Sequence, residues 1–212
     1  MKVGKHWRVR RQALENSLGQ SERSGTLVGQ LSSFLRVPDN VLAIAQNLDI
    51  LHRLDAAFFM VGEARDGLLV KFYGGEAHSE DELRADLEEN GLNVRRLERE
   101  GRFFMRPEED PFEGREEVLG QFIEESASEV HTVWASFNWV MPVGLETALK
   151  QQERLTEIVD IRQLVVKTAA LEEAIEEWSS AELRRTLSLH SGTILASESG
   201  LSLSRATPMP PS

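Results

Sequence analysis

The sequence predicts an α/β fold, with a mostly parallel central sheet and helices on both faces. Three observations carry this. The second half of the chain alternates helix, strand, helix, strand, helix, strand, the pattern of right-handed βαβ units. The run HTVWASFNWV, residues 131–140, is apolar and rich in β-branched and aromatic residues, as in a strand buried on both faces. Two Ser-x-x-Glu capping boxes, Ser79 to Glu82 and Ser179 to Glu182, mark helix starts.

Taken in order, residues 1–40 show weak periodicity and many Ser, Gly, Gln and Arg. They read as a poorly ordered segment, with at most a short helix near residues 10–18. Pro38, Asp39 and Asn40 mark a helix start, and residues 41–54 carry an apolar stripe at Val41, Leu42, Ala45, Leu48 and Leu51 that predicts a helix. Two apolar runs then flank Asp66-Gly67, predicting strand–turn–strand. The first capping box opens a helix over residues 80–90, and Gly91 follows it as a natural stop. Residues 102–105 predict a short strand, and residues 107–114 an acidic loop with two prolines.

A helix over 115–128, the strand 131–137, a helix over 143–159 and a strand 164–167 come next. Residues 170–178 and 181–189 predict helices, and 192–196 a last strand. The tail to Ser212, with its three prolines, predicts disorder. The expected organisation is a poorly ordered segment 1–40, a single α/β domain 41–200 and a disordered tail 201–212.

In open α/β sheets, ligands sit beyond the carboxyl ends of the strands. Strand 131–137 stops at Ser136, Phe137, Asn138 and Trp139. An amide and an indole at that rim offer donors, an acceptor and a flat apolar face for a small ligand. The same pair also suits a turn cap and a tryptophan packed under a helix. Glu146 and Glu153, seven apart, share a face of the helix that follows. They are the carboxylates closest to the rim, or else part of a solvated surface. His190 ends an apolar helical stretch, where it serves as a C-terminal group or a ligand contact.

Composition narrows the function. Cysteine is absent, which removes disulfides, thiolate metal sites and a Cys nucleophile and suits a cytoplasmic location. No apolar run approaches the roughly 18–20 residues of a membrane span, and the basic N-terminus lacks the apolar core of a signal peptide. The net charge of −11 repels a phosphate backbone, so bulk nucleic-acid binding is not expected. The local exception is the cluster Lys2, Lys5, Arg8, Arg10 and Arg11, a basic arm or a solvated tail.

The segment GQSERSGT, residues 19–26, matches the phosphate loop G-x-x-x-x-G-K-[ST] at only part of its positions. Ser24 stands for the second glycine and Gly25 for the lysine, so the cation for the β- and γ-phosphates is missing. The five histidines form no H-x-H or H-E-x-x-H pair, so no metal is expected. No G-x-S-x-G or G-x-G-x-x-G occurs, and no catalytic residue or cofactor is expected.

The order of segments over about residues 83–197 resembles the MEDS domain, the methanogen/methylotroph sensory domain of the dichloromethane-responsive regulator type. Ala135-Ser136-Phe137-Asn138-Trp139 stands where that family's strand ends in polar residues, Ser and Trp. Glu153 occupies the place of a helix glutamate, with Gln152 for the neighbouring aromatic. Val165-Val166-Lys167-Thr168 matches a strand ending Cys-Gln-Tyr-Asp, and Leu189-His190-Ser191 a late Thr-His-Pro.

The resemblance implies a RecA/KaiC-like core without a working phosphate loop. It also implies a role in sensing small molecules and feeding signalling or transcription. The expectation is therefore a non-catalytic sensory domain that binds a small molecule at Ser136, Asn138, Trp139, Glu146, Glu153, Thr168 and His190 and relays to a regulatory protein. A ligand-free protein-interaction module and a degenerate RecA-like nucleotide-binding protein remain the alternatives.

Overall fold

The computed structural model describes residues 26–74, 79–108, 114–126, 132–161 and 163–205. Seven strands form one sheet: β1 (Asp39–Ala45), β2 (Leu68–Tyr73), β3 (Phe103–Pro107), β4 (Val133–Trp139), β5 (Leu164–Leu171), β6 (Gly192–Ser197) and β7 (Gly200–Arg205). Their order across the sheet is β3-β2-β4-β5-β1-β6-β7. Every pairing is parallel except that of β6 with β7. The helices are α1 (Leu27–Phe34), α2 (Leu48–Ala64), α3 (Glu80–Glu89), α4 (Val94–Arg99), α5 (Arg115–Glu125), α6 (Leu145–Ile161) and α7 (Ser180–Ser188).

The sheet is buried on both faces, so its central strands read as continuous apolar runs. All seven residues of β1 and of β4 are buried, as are all eight of β5. On one face, α2 packs Leu51, Leu54, Phe58 and Phe59 against Leu69, Trp134 and Val165, with α1, α3 and α4 at its sides. On the other, α5 and α6 cover Val70, Phe72, Ala135 and Phe137 with Leu119, Phe122, Leu155 and Val159. Beside them, Leu42, Trp139 and Ala170 meet Ala148, Ile175, Leu183 and Leu187. The result is three layers with the expected α/β architecture.

Local signals explain the helix starts. Ser79 and Ser179 each complete the reciprocal capping box with Glu82 and Glu182. Gly91 follows α3 with φ 96°, a conformation that favours glycine.

Several sequence expectations fail. The predicted helix 41–54 is a strand through Ala45 followed by α2 from Leu48. An apolar run buried on both faces fits either periodicity, and β1 lies between β5 and β6. The apolar residues before Asp66 belong to α2 rather than to a strand. Asp66 (φ 57°) does turn the chain, but it joins a helix to β2. The predicted helix 170–178 is the end of β5 and one 3-10 turn, Glu172–Ile175.

Both ends also hold more structure than expected. Within the segment 1–40, Thr26 caps α1 by accepting from Gly29 N, and Asp39 and Asn40 begin β1. Within the tail 201–212, Leu201–Arg205 completes β7, whose pairing with β6 buries Leu201 against the α2-side core. The short helix near 10–18, the loop-like segment 19–25, His131 and the proline-rich end lie outside the described residues.

Candidate functional site

β4 is an interior strand, between β2 and β5. Its alternating side chains divide the expected site between two faces. Ser136 and Asn138 point towards α2. There Asp55, buried in mid-helix, accepts from Ser136 Oγ at 2.8 Å and from Asn138 Nδ2 at 3.0 Å. Lys71 of β2 and Lys167 of β5 are both registered against Ser136. Lys71 Nζ lies 3.3 Å from the same carboxylate, and Lys167 Nζ bonds to it and sits 5.6 Å from the Phe58 ring centroid. All five side chains are at most 2% exposed.

Burial opposes a charge on Asp55, but the two ammonium groups and the donated hydrogen bonds outweigh it. They hold the carboxyl well below the usual carboxylate range. Asp55, Lys71 and Lys167 were not among the residues expected at the site, though Lys167 stood in a motif of the resemblance. The available signal was a charge inside an apolar run, as in LLVKFY and LVVKTAAL.

On the opposite face Trp139 is 1% exposed and meets Trp178 edge-on, ring centroids 6.4 Å apart. Arg115, at the start of α5, is fully buried over the Phe137 and Trp139 rings, at 5.0 and 5.5 Å. It donates to both oxygens of Glu108, at 2.7 and 3.3 Å, and to the backbone oxygen of Asn138 at 2.8 Å. The tip of β4 is therefore covered by packed side chains and does not open directly onto a cavity. Two of its polar atoms, Asn138 Oδ1 and Trp139 Nε1, are buried and find no hydrogen-bond partner among the described residues.

Thr168 and His190 meet through Gln152. The His190 ring lies 2.9 Å from Thr186 O at Nδ1 and 2.8 Å from the Gln152 amide at Nε2, and that amide is 3.0 Å from Thr168 Oγ1. Burial pushes the His190 pKa down to about 4, against a small upward pull from the Thr186 carbonyl. A neutral ring that donates from Nδ1 must accept at Nε2. The structure sets the Gln152 oxygen towards Nε2 and has its NH₂ donate to Thr168 Oγ1; a neutral ring calls for the amide turned over, with NH₂ at the ring and the oxygen accepting from the Thr168 hydroxyl. Thr156 Oγ1 extends the network, donating to Gln152 O and accepting from Asn40 Nδ2, both at 2.8 Å. Thr168 and His190 are thus a closed structural pair in the core, not exposed ligand contacts.

Glu146 and Glu153 separate. Both are exposed, but only Glu146 faces an open cleft, of about 870 Å³, between α5 and α6 beside the end of β3. Gln151, 3% exposed, lies at its floor. The expected single rim site is therefore three places: the Asp55 cluster, the His190 network and the cleft.

Among the described residues, the β1–α2 junction is the first place where a strand runs into a helix. It consists of Gln46 and Asn47 alone. Asn47 caps α2, its side chain accepting from Ile50 N at 3.0 Å. Gln46 N donates to Ala196 O at 3.0 Å, and Gln46 Oε1 accepts from Glu198 N at 3.3 Å. A phosphate loop needs a longer glycine-rich turn with Lys and Ser/Thr at the helix start. The longer junctions 74–79, 108–114 and 140–144 hold no lysine. Among the described residues, no group of three or more His, Cys, Asp or Glu is placed to hold a metal, and no helix is long and apolar enough to cross a membrane.

No family model matches the chain, and no curated protein matches it. Among solved structures it is similar to a KaiC-like protein from the hyperthermophilic archaeon Pyrococcus horikoshii OT3. The identity is 12% and the TM-score 0.51, with 77% of this chain and 73% of that chain covered. At that identity the likeness speaks for architecture alone, and the architecture is the RecA/KaiC-like three-layer α/β sandwich.

Proposed function

We propose that this chain is a non-catalytic sensory domain on a KaiC-like scaffold. It binds a small molecule in the cleft between α5 and α6, at the carboxyl-end rim of the sheet, and relays its occupancy to a regulatory or transcriptional partner. The observation that carries the reading is a contrast between two places on the fold. The two-residue Gln46–Asn47 turn spends its helix-start donor on its own cap, while a cleft of about 870 Å³ stands open. That volume falls within the roughly 300–1,000 Å³ range of small-molecule sites.

The MEDS resemblance over residues 83–197 supports the same reading and supplies its regulatory side. It places the ligand near Asn138 and Trp139. Because the β4 tip is packed, with Arg115 over the Trp139 ring and Ala148 in the same apolar cluster, the reading takes Glu146, which lines the cleft, as the ligand contact instead.

The experiment is a thermal-shift screen of a metabolite library, with calorimetric titration of Mg·ATP beside it. A ligand at 100 times its Kd adds about 2.7 kcal/mol of apparent stability if it binds only the folded chain. The reading expects at least one such molecule, competed out by a Thr147→Trp plug of the cleft, and no heat from Mg·ATP at millimolar concentration. Micromolar Mg·ATP binding, or a library without a single stabilising molecule, overturns it.

A further inference from the structure

The chemistry of the cleft selects among small molecules. Four of its ionic groups are already used within the fold, in two pairs. Arg154 of α6 pairs with Glu116 of α5, and Arg106 of β3 holds Glu125 at 2.9 Å. Three further groups line the cleft: Glu117 on α5, and Glu146 and Lys150 on α6. All three are exposed, and none enters an ion pair among the described residues.

The positions of these three are informative. Glu117 is the third residue of α5 and Glu146 the second of α6. Both helices follow parallel strands, so their first turns lie at the same rim. Lys150 stands four residues beyond Glu146 on one face of α6, about 6 Å further along the axis. Glu146 and Lys150 have the spacing of a helical ion pair, yet they do not close one. Both charges remain open towards the cleft.

We infer that the cleft binds a small zwitterion, an ammonium group lodged between Glu117 and Glu146 and a carboxylate at Lys150, its two charges about one helical turn apart. This deepens the sensory reading and rests on it. A carboxylate alone would meet two like charges at the rim. An amine alone would leave Lys150 unanswered. An α-amino acid holds its charges too close together to reach both ends.

The test uses the full chain and five probes: glycine, 4-aminobutyrate, 5-aminopentanoate, butyrate and butylamine. Binding is followed by ¹H–¹⁵N chemical-shift titration, with the α5 and α6 amides as reporters. The expected result is that 4-aminobutyrate or 5-aminopentanoate binds at least about 10-fold more tightly than the other three. Lys150→Glu and Glu117→Lys, both at exposed positions, are expected to remove that preference with the melting temperature unchanged. In the Lys150→Glu chain, butylamine is expected to overtake 4-aminobutyrate.

Equal binding of butylamine and 4-aminobutyrate, or a preference that survives both reversals, overturns the zwitterion assignment. So does silence from all five probes. If a different molecule from the library screen then shifts the same amides, the sensory reading stands without the zwitterion. If no molecule does, both fall.

Discussion

Asn138 donates to Asp55 across 3.0 Å, joining the penultimate residue of β4 to the middle of α2. The bond ties an interior strand to the helix that covers it. It also places an amide beside a carboxylate that already serves Ser136, Lys71 and Lys167. The amide predicted for ligand recognition is thereby engaged, through its NH₂, in holding the core together.

Replacing Asp55 tests that role. Asp55→Asn keeps the shape and removes the charge, leaving two ammonium groups buried without their carboxylate. Breaking a buried ion pair on one side costs about 3–5 kcal/mol. Urea denaturation is expected to show a loss of that size, partly recovered by adding Lys71→Met. A loss below about 1 kcal/mol would mean that the cluster is not ionised as described.

The His190 network gives the fold a pH dependence with a definite sign. The folded pKa is about 4, below the ordinary 6.5. The unfolded chain therefore takes up the proton first as pH falls. The contribution is complete above pH 6.5, declines between 6.5 and about 4, and is lost below. Across that window it amounts to about 3 kcal/mol. Stability curves of the parent and of His190→Gln, measured from pH 8 to 4, are expected to differ by a slope in this interval and to run parallel above it. Asp55, with its depressed folded pKa, adds a loss only at lower pH, below the ordinary 3.8 of a free carboxyl. Parallel curves throughout would rule out a neutral, buried ring.

Gly67 shows how closely the helix-to-strand turn approaches the core. A Cβ added there would stand 2.3 Å from Trp134 Cδ1 and 2.6 Å from its Nε1. Trp134 is fully buried and packs on Phe58, so the indole has no room to yield. Gly67→Ala is expected to destabilise by about 1–3 kcal/mol through overpacking, with a changed near-ultraviolet circular dichroism signal from displaced tryptophan. Gly101→Ala, with open space around its Cβ but φ 66°, is expected to leave that signal unchanged.

The parts of the fold that could be read from sequence were those with local causes. Ser79 and Ser179 sit three residues before Glu82 and Glu182, and the helices begin there. β4 announced itself because a buried parallel strand is apolar at every position. The same property hid β1: Val41, Leu42, Ile44 and Ala45 satisfy a helical stripe as well as a strand, and only pairing with β5 and β6 decides. The Asp55 cluster was hidden for a different reason. Ser136, Asn138 and Lys167 lie 81 to 112 residues from Asp55 along the chain, Lys71 reaches it from a different element, and a single charge among apolar neighbours carries no mark of the partner it will meet. Trp139 and Asn138 were rightly placed at the end of an interior strand. Their burial depended on Arg115 and Glu108, whose long-range contacts no local pattern encodes.

Arg115 offers the sharpest test of what closes that strand end. Its guanidinium satisfies Glu108 and the Asn138 carbonyl while lying over two aromatic rings. Arg115→Lys retains the charge but lacks the planar fork needed for two-oxygen recognition and stacking. Arg115→Leu removes the charge and leaves the Glu108 carboxylate without its guanidinium. The leucine variant is expected to lose about 3–5 kcal/mol, and the lysine variant less. Adding Glu108→Gln to Arg115→Leu is expected to cost less than the two single losses together, since the second change removes the stranded charge. Additive losses in that double-mutant cycle, with no change in tryptophan emission, would show that Arg115 does not hold the β4 tip closed.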